Sequence, residues 1–348
     1  MPAQAATIAP VRGSLGDARA REILDFLSRT GGLNEEAARR WLSEIVCMAL
    51  EGERVVGVSA ARPASLGLIG GRPFWIYQCA LIQHSDERWD ELFNASFEVL
   101  AREFEEDDVP YLGLCVLVAD PEEIRRRPEA VWPDTELLFA GYLDDGRQVH
   151  LRYFWGAEIA PGLPNSPSLE ETRKQEYPLE DRYRILDLGK TGEVTPEEVV
   201  RFWQREGALP DPDEATRRVS EVSLVAADRD GELAGVSSVY AQRNAQLRMS
   251  MWHYRTYVAQ DHRMSNIAAQ LIFRNRDLLE ERFVRGEDTR APGVLFELEN
   301  ESMKSYFNKA LWLPADFTFI GENELGDHVR VHWFPGATVP PSRAAPPA

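Results

Sequence analysis

Residues 132–157 read WPDTELLFAGYLDDGRQVHLRYFWGA, and residues 312–337 read WLPADFTFIGENELGDHVRVHWFPGA. The two stretches align without a gap. Trp132/Trp312, Phe139/Phe319, Gly141/Gly321, Gly146/Gly326, Val149/Val329, Phe154/Phe334, Gly156/Gly336 and Ala157/Ala337 are identical pairs. Solenoid units run only about 20–50 residues, so a repeat at this separation is a duplicated domain.

The register holds back to Gly113/Gly293, where LGLCVLVAD lies over PGVLFELEN. Further upstream, with small slips, VLAREF (99–104) lies over LLEERF (278–283), and FWIYQCALI (74–82) over MWHYRTYVA (251–259). GERVVGVSAAR (52–62) lies over GELAGVSSVYAQR (231–243), and EEAARRWL (35–42) over DEATRRVS (213–220). Each copy is about 150 residues, a common domain size. The reading is a first domain at 1–157, a Pro-bearing linker at 158–182, a second domain at 183–337 and a frayed tail at 338–348.

Across 348 residues, 44% hydrophobic content supplies two cores, and the net charge is −18. That charge argues against nucleic-acid binding, which needs a basic surface. Cys47, Cys79 and Cys115 all fall in the first half inside apolar runs, a poor disulfide or metal framework. With no HExxH and no CxxC, no metal is expected. MPAQAA lacks the basic start and apolar core of a signal peptide. No run reaches the ~18–20 apolar residues of a membrane span. The expectation is a cytoplasmic protein off the membrane, monomer or homodimer.

Both halves repeat one order of elements. A short strand (6–12; 183–188) precedes an amphipathic helix, with Thr195-Pro196-Glu197-Glu198 as a capped start. A second helix carries EEAARR or DEATRR. In the second copy a hairpin pairs 222–227 with 232–242, and a strand at 248–258 enters a helix at 267–282. A strand at 293–299, a helix at 301–310 and a strand at 328–334 complete it. The pattern β-α-α-β-β-β-α-β-α-β is an α+β fold, a mixed sheet flanked by helices.

This order resembles the GCN5-related N-acetyltransferase (GNAT) superfamily, over nearly the whole chain, as two tandem domains. In that family the fourth strand enters a loop of pattern R/Q-x-x-G-x-G/A and then a helix, and the loop amides cradle the pyrophosphate of acetyl-CoA. A helix N-terminus offers unpaired N–H groups and a positive dipole end to an anion. Here Tyr257-Val258 ends the strand, and Arg263-Met264-Ser265-Asn266-Ile267-Ala268 forms the loop. Arg263 and Ala268 match; Asn266 stands where the pattern has Gly, and Asn tolerates a left-handed backbone better than most residues. The resemblance implies that these eight residues bind acyl-CoA. In the first copy His84-Ser85-Asp86-Glu87-Arg88-Trp89 holds the junction, and two carboxylates there oppose a phosphate. That copy then is structural or holds the substrate; the alternative is a slipped alignment with Arg88 in the role.

Acyl transfer from a thioester to an amine needs a base, an acid for the leaving thiolate and oxyanion donors. The resemblance implies Asn300 as a contact of the pantetheine arm and Tyr306 as the acid, one residue short of the usual spacing, which falls on Phe307. A core or surface Tyr is the rival reading. The first copy has Asp120 and Arg126 at these places. Glu297 and Glu299 are candidate bases on one strand face, with a solvated sheet edge as the alternative. His253 and Arg255 share a face with Tyr257 and are candidate pocket residues for the acceptor. Trp75/Trp252, Tyr77/Tyr254 and Trp132/Trp312 occur in both copies and read as core.

The leading expectation is an N-acyltransferase that moves an acetyl or other acyl group from acyl-CoA to a small-molecule, amino-acid or peptide amine. The second is a non-catalytic binding or scaffold protein. A third, a peptide ligase using aminoacyl-tRNA, conflicts with the charge.

Overall fold

The structure is a computed structural model that describes residues 6–30, 33–83, 85–107, 109–162, 169–190, 192–263 and 265–341. His84 and Met264 of the two junction loops, and the tail from 342, lie outside the described residues. The chain divides into two compact units, one ending at Ala157 and one spanning Glu158–Pro340.

The first unit runs β1 (Thr7–Pro10), α1 (Asp17–Thr30), α2 (Glu35–Glu44), β2 (Ile45–Glu51), β3 (Arg54–Leu66), β4 (Arg72–Leu81), α3 (Asp86–Asp107), β5 (Gly113–Val118), α4 (Pro121–Arg126), β6 (Val131–Trp132), β7 (Leu137–Tyr142) and β8 (Gln148–Tyr153). The second opens with α5 (Leu169–Lys174), inside the stretch read from sequence as linker. It continues β9 (Tyr183–Asp187), α6 (Pro196–Arg205), α7 (Pro212–Arg218), β10 (Val222–Asp228), β11 (Leu233–Asn244) and β12 (Met249–Val258). Then come α8 (Ile267–Val284), β13 (Gly293–Leu298), α9 (Glu301–Tyr306), β14 (Leu311–Trp312), β15 (Phe317–Glu322) and β16 (His328–Trp333). Each unit holds one mixed eight-stranded sheet, ordered β1-β2-β3-β4-β5-β8-β7-β6 and β9-β10-β11-β12-β13-β16-β15-β14. The architecture is α+β, as the element pattern predicts.

Local sequence explains several boundaries. Thr195 and Glu198 form a reciprocal capping box at the start of α6, with Pro196 as its first residue. Val199, Phe202 and Trp203 then face one core. Two expectations need correction. The helix placed at 301–310 ends at Tyr306, because the buried Arg330 guanidinium gathers the carbonyls of Phe307, Lys309 and Ala310 and so holds that chain out of the helix. The strands β14 and β15 were not anticipated. Phe317–Gly321 is buried on both faces, so it shows no alternation.

The matched glycines have matched backbones. Gly141 and Gly321 sit at equivalent bulges with φ of 140° and 143°, a region that L side chains avoid. A Cβ on Gly113 would meet the Arg152 carbonyl oxygen at 2.2 Å, and one on Gly293 the His332 carbonyl oxygen at 2.5 Å.

In both units the parallel pair at the sheet centre is short. β4 and β5 register only at Trp75–Leu114 and Ile76–Cys115. β12 and β13 register only at Trp252–Val294 and His253–Leu295. Beyond those residues the strands diverge, and each unit has a fork whose facing backbone groups lack a ladder partner. Apolar clusters fill both sheet faces. In the second unit Trp252, Tyr254 and Phe296 face α8, while Tyr257 and Val236 face α6 and α7. No helix among the described residues is long and apolar enough to cross a membrane.

Candidate functional site

The fork of the second unit opens between two helix starts. On one side β12 ends at Val258, a short 3-10 turn covers Gln260–His262, and α8 begins at Ile267. Asn266, immediately before α8, has φ 59° and ψ 8°, a left-handed conformation that glycine adopts freely and asparagine tolerates. Its side chain makes no capping bond to the helix; its Nδ2 donates instead to the Pro178 carbonyl at 3.1 Å. The first amides of α8 therefore have no side-chain cap, and small Ala268 and Ala269 follow. Arg263 is exposed and its Nε reaches the Val258 carbonyl at 3.3 Å. Ser265 is buried and its hydroxyl donates to the His262 carbonyl. Tyr257 is tied by its hydroxyl to the Glu206 carbonyl.

On the other side β13 leads into α9. Asn300 caps α9, its Oδ1 accepting from the Met303 amide at 3.1 Å. Asp120 does the same for α4, accepting from the Glu122 amide at 2.9 Å. Capping accounts for a residue of this kind at both places. Phe307 packs on Trp312 with ring centroids 4.9 Å apart, so it belongs to the core. Tyr306 is half-buried and accepts at its phenol oxygen from Gln175 Nε2 at 3.1 Å; its own hydroxyl proton has no acceptor among the described residues.

Within the stretch 158–182, residues 158–159 and 175–178 pack on the rest of the second unit. The Glu158 carboxylate pairs with Lys309, and the Ile159 amide donates to the Asn308 carbonyl. Gln175 meets Tyr306, the Tyr177 carbonyl accepts from Gln270 Nε2 at 2.6 Å, and Pro178 accepts from Asn266. The Tyr177 ring lies against Phe273 and Trp312. Residues 175–178 thus run from Tyr306, the last residue of α9, to the start of α8.

Residues on the opposite sheet face, toward α6 and α7, include His253, Arg255 and Glu297. His253 is buried and stacks on Tyr240. Burial first, and then nearby Arg255, lower it below the usual histidine range, which keeps the imidazole neutral. Arg255 lies over the Tyr240 ring at 4.3 Å. Glu297 is exposed, and Glu299 is also exposed, one residue past the end of β13, so only Glu297 belongs to the sheet face. Sequence reading missed Tyr240 and Glu221; neither stands in a motif, and only the fold sets Tyr240 against His253 and Glu221 near Tyr240. Among the described residues no group of three or more His, Cys, Asp or Glu side chains could hold a metal.

The first unit differs at each of these points. The Asp86 carboxylate at the start of α3 pairs with Arg126 at 3.1 Å and Arg127 at 3.3 Å. Arg127 stands where Phe307 stands in the second copy. It lies 4.9 Å from both the Trp89 and Trp132 rings and also pairs with Asp90 at 2.6 Å. Side chains of the unit itself therefore fill this helix start. Arg88 is occupied by Glu51 at 3.0 Å. Ile76 and Gln78 replace His253 and Arg255.

No family model matches this chain, and no curated protein does. Solved structures do. An acetyltransferase of the GNAT family from Streptococcus pneumoniae is 10% identical, over 44% of this chain and 99% of its own, with a TM-score of 0.32. An aminoglycoside 6'-N-acetyltransferase complexed with coenzyme A is 14% identical, over 43% of this chain and 96% of its own, with a TM-score of 0.29. Eis1 from Mycobacterium abscessus is 12% identical, over 76% of this chain and 62% of its own, with a TM-score of 0.27. At such scores these likenesses carry no weight on activity. Two mixed eight-stranded sheets, each flanked by helices in the same order, fit two tandem GNAT-like domains.

Proposed function

We propose that the protein is an N-acyltransferase whose second unit binds acyl-CoA and whose first unit does not. One observation carries the reading: the uncapped α8 start, with Asn266 in the left-handed conformation, adjoins a fork with unpaired strand edges. The helix start suits a diphosphate. The fork suits an amide-bearing arm, which can pair with both strands as an added strand would. Arg263 would stand beside the diphosphate, with the Ile267 and Ala268 amides. When bound, acyl-CoA supplies an activated thioester carbon.

The chain's own groups handle the protons. Tyr306, the last residue of α9, holds a proton at Oη and can donate it to the leaving thiolate. His253 Nε2 or a Glu297 oxygen can take the proton that an acceptor ammonium must lose. His253 suits the task because its imidazole is neutral. An acyl-CoA donor is a cytoplasmic metabolite, so we place the reaction there.

A second reading, a binding protein without catalysis, is favoured by the contacts of Gln175 with Tyr306 and of Pro178 with Asn266, which engage both ends of the proposed track. Titration calorimetry with acetyl-CoA and CoA separates the two. One site per chain supports the acyltransferase. Two sites per chain overturn the assignment of the first unit, and no binding leaves the second reading.

A further inference from the structure

On the α6–α7 face of the second sheet, five charged or titratable side chains gather round one phenol. Tyr240 stacks on His253 with centroids 5.3 Å apart, and the Arg255 guanidinium covers the same ring at 4.3 Å. Glu297, Glu221 and Arg218 also act electrostatically on the Tyr240 hydroxyl, and Arg218 is itself paired with Glu214. These groups come from β11, β12, β13, the end of α7 and the turn before β10, so the fold and not the sequence assembles them.

Their polar atoms are incompletely satisfied. Glu221 Oε2 and His253 Nε2 are buried with no hydrogen-bond partner, and His253 is 9% exposed. Among the described residues Arg255 and Glu297 form no ion pair, with each other or with any other group. A buried carboxylate oxygen without a donor is costly, and such an atom calls for a water, an ion or a ligand. Opposite charges that share Tyr240 as neighbour without pairing form a divided site, one end for a cation and one for an anion. A diamine leaves Arg255 opposed by a like charge. A simple fatty acid leaves Glu221 unanswered. A zwitterion answers both.

We propose that the acceptor is a free α-amino acid, its carboxylate on the Arg255 guanidinium and its ammonium between Glu221 and Glu297. The reaction it undergoes rests on the acyltransferase reading; the binding does not. A planar guanidinium matches a carboxylate through two parallel hydrogen bonds. The first copy, with Ile76 and Gln78 at the corresponding positions, has no such site.

The test uses the full chain, with and without saturating CoA. Saturation-transfer NMR is recorded on the common L-amino acids, each beside the amine that lacks only its carboxylate. The expected result is a signal from at least one amino acid and none from its amine. Arg255→Gln should then weaken the bound amino acid by about tenfold to a hundredfold, and Arg255→Lys should restore only part. Arg255 is exposed, so neither variant is expected to disturb folding, which thermal melting checks. Amines that bind as well as their acids, no amino acid that binds, or full binding by folded Arg255→Gln would each overturn the proposal. CoA titration of the same samples reads the acyltransferase reading separately: amino-acid binding without CoA binding keeps the site and removes the reaction.

Discussion

Gln175 Nε2 donates to the phenol oxygen of Tyr306 at 3.1 Å, across 131 residues of sequence. Three residues later Pro178 accepts from Asn266, so one short segment engages both the proposed acid and the proposed phosphate cradle. If acyl-CoA takes the track between them, these contacts compete with it. Gln175→Ala should therefore tighten CoA binding. One neutral hydrogen bond is worth about 0.5–1.5 kcal/mol, or roughly twofold to twelvefold in Kd by calorimetry. Weaker binding would make residues 175–178 a wall of the site and not a cover.

The two junctions should respond differently to charge reversal. Arg263→Glu puts a carboxylate at the start of α8 and should weaken CoA binding by about tenfold or more. Arg88→Glu breaks the pair with Glu51 in the first unit and should leave CoA binding unchanged. Equal loss in both variants would sink the asymmetry between the copies.

Asn266 should be tolerant of glycine and intolerant of branching. At φ 59° a β-branched residue is strained by about 1–2 kcal/mol, so Asn266→Val should lower stability in urea by that amount. Asn266→Gly should stay within about 0.5 kcal/mol, since it loses the Pro178 bond but relieves strain. It should also admit a phosphate more closely and tighten CoA.

His332 is a pH-dependent tie. Its Nε2 lies 2.7 Å from Glu280 of α8, and its Nδ1 lies 2.9 Å from the Asp316 carbonyl and 3.1 Å from the Asp316 carboxylate. Burial alone would lower it, but the bonds to Asp316 and Glu280 together outweigh burial and raise it above its usual value. A raised folded value gives stability that is fully present below the unfolded value of about 6.5. That stability is lost as pH rises through the folded value. The stability gap between the native chain and His332→Gln should therefore be larger at pH 5.5 than at pH 8.5, read from urea midpoints. A gap that grows with pH would contradict the charged tie.

Much of the fold was legible because the chain states it twice. Gly141 and Gly321 match in sequence and then in backbone angle, since only glycine fits both bulges. Thr195-Pro196-Glu197-Glu198 announced α6, because a capping box is a local device that needs nothing beyond one turn. β15 was missed, because a strand buried on both faces has no polar–apolar alternation to read.

The candidate site was legible only in part. Asn266 could be placed by its motif, since the strand–loop–helix order is written along the chain. The role of residues 175–178 could not be read: the prolines and mixed charge around them describe a linker equally well, and only the packing of Tyr177 on Phe273 and Trp312 places them on the second unit. Sequence alone determined the duplication, the α+β class and the unequal junctions, because those depend on local patterns and on comparison of one copy with the other. Tertiary structure alone decided that Gln175 meets Tyr306, and that Glu221, Tyr240, His253, Arg255 and Glu297 share one face. Those relations join side chains remote in sequence, and only the strand register and helix packing of the folded unit set them together.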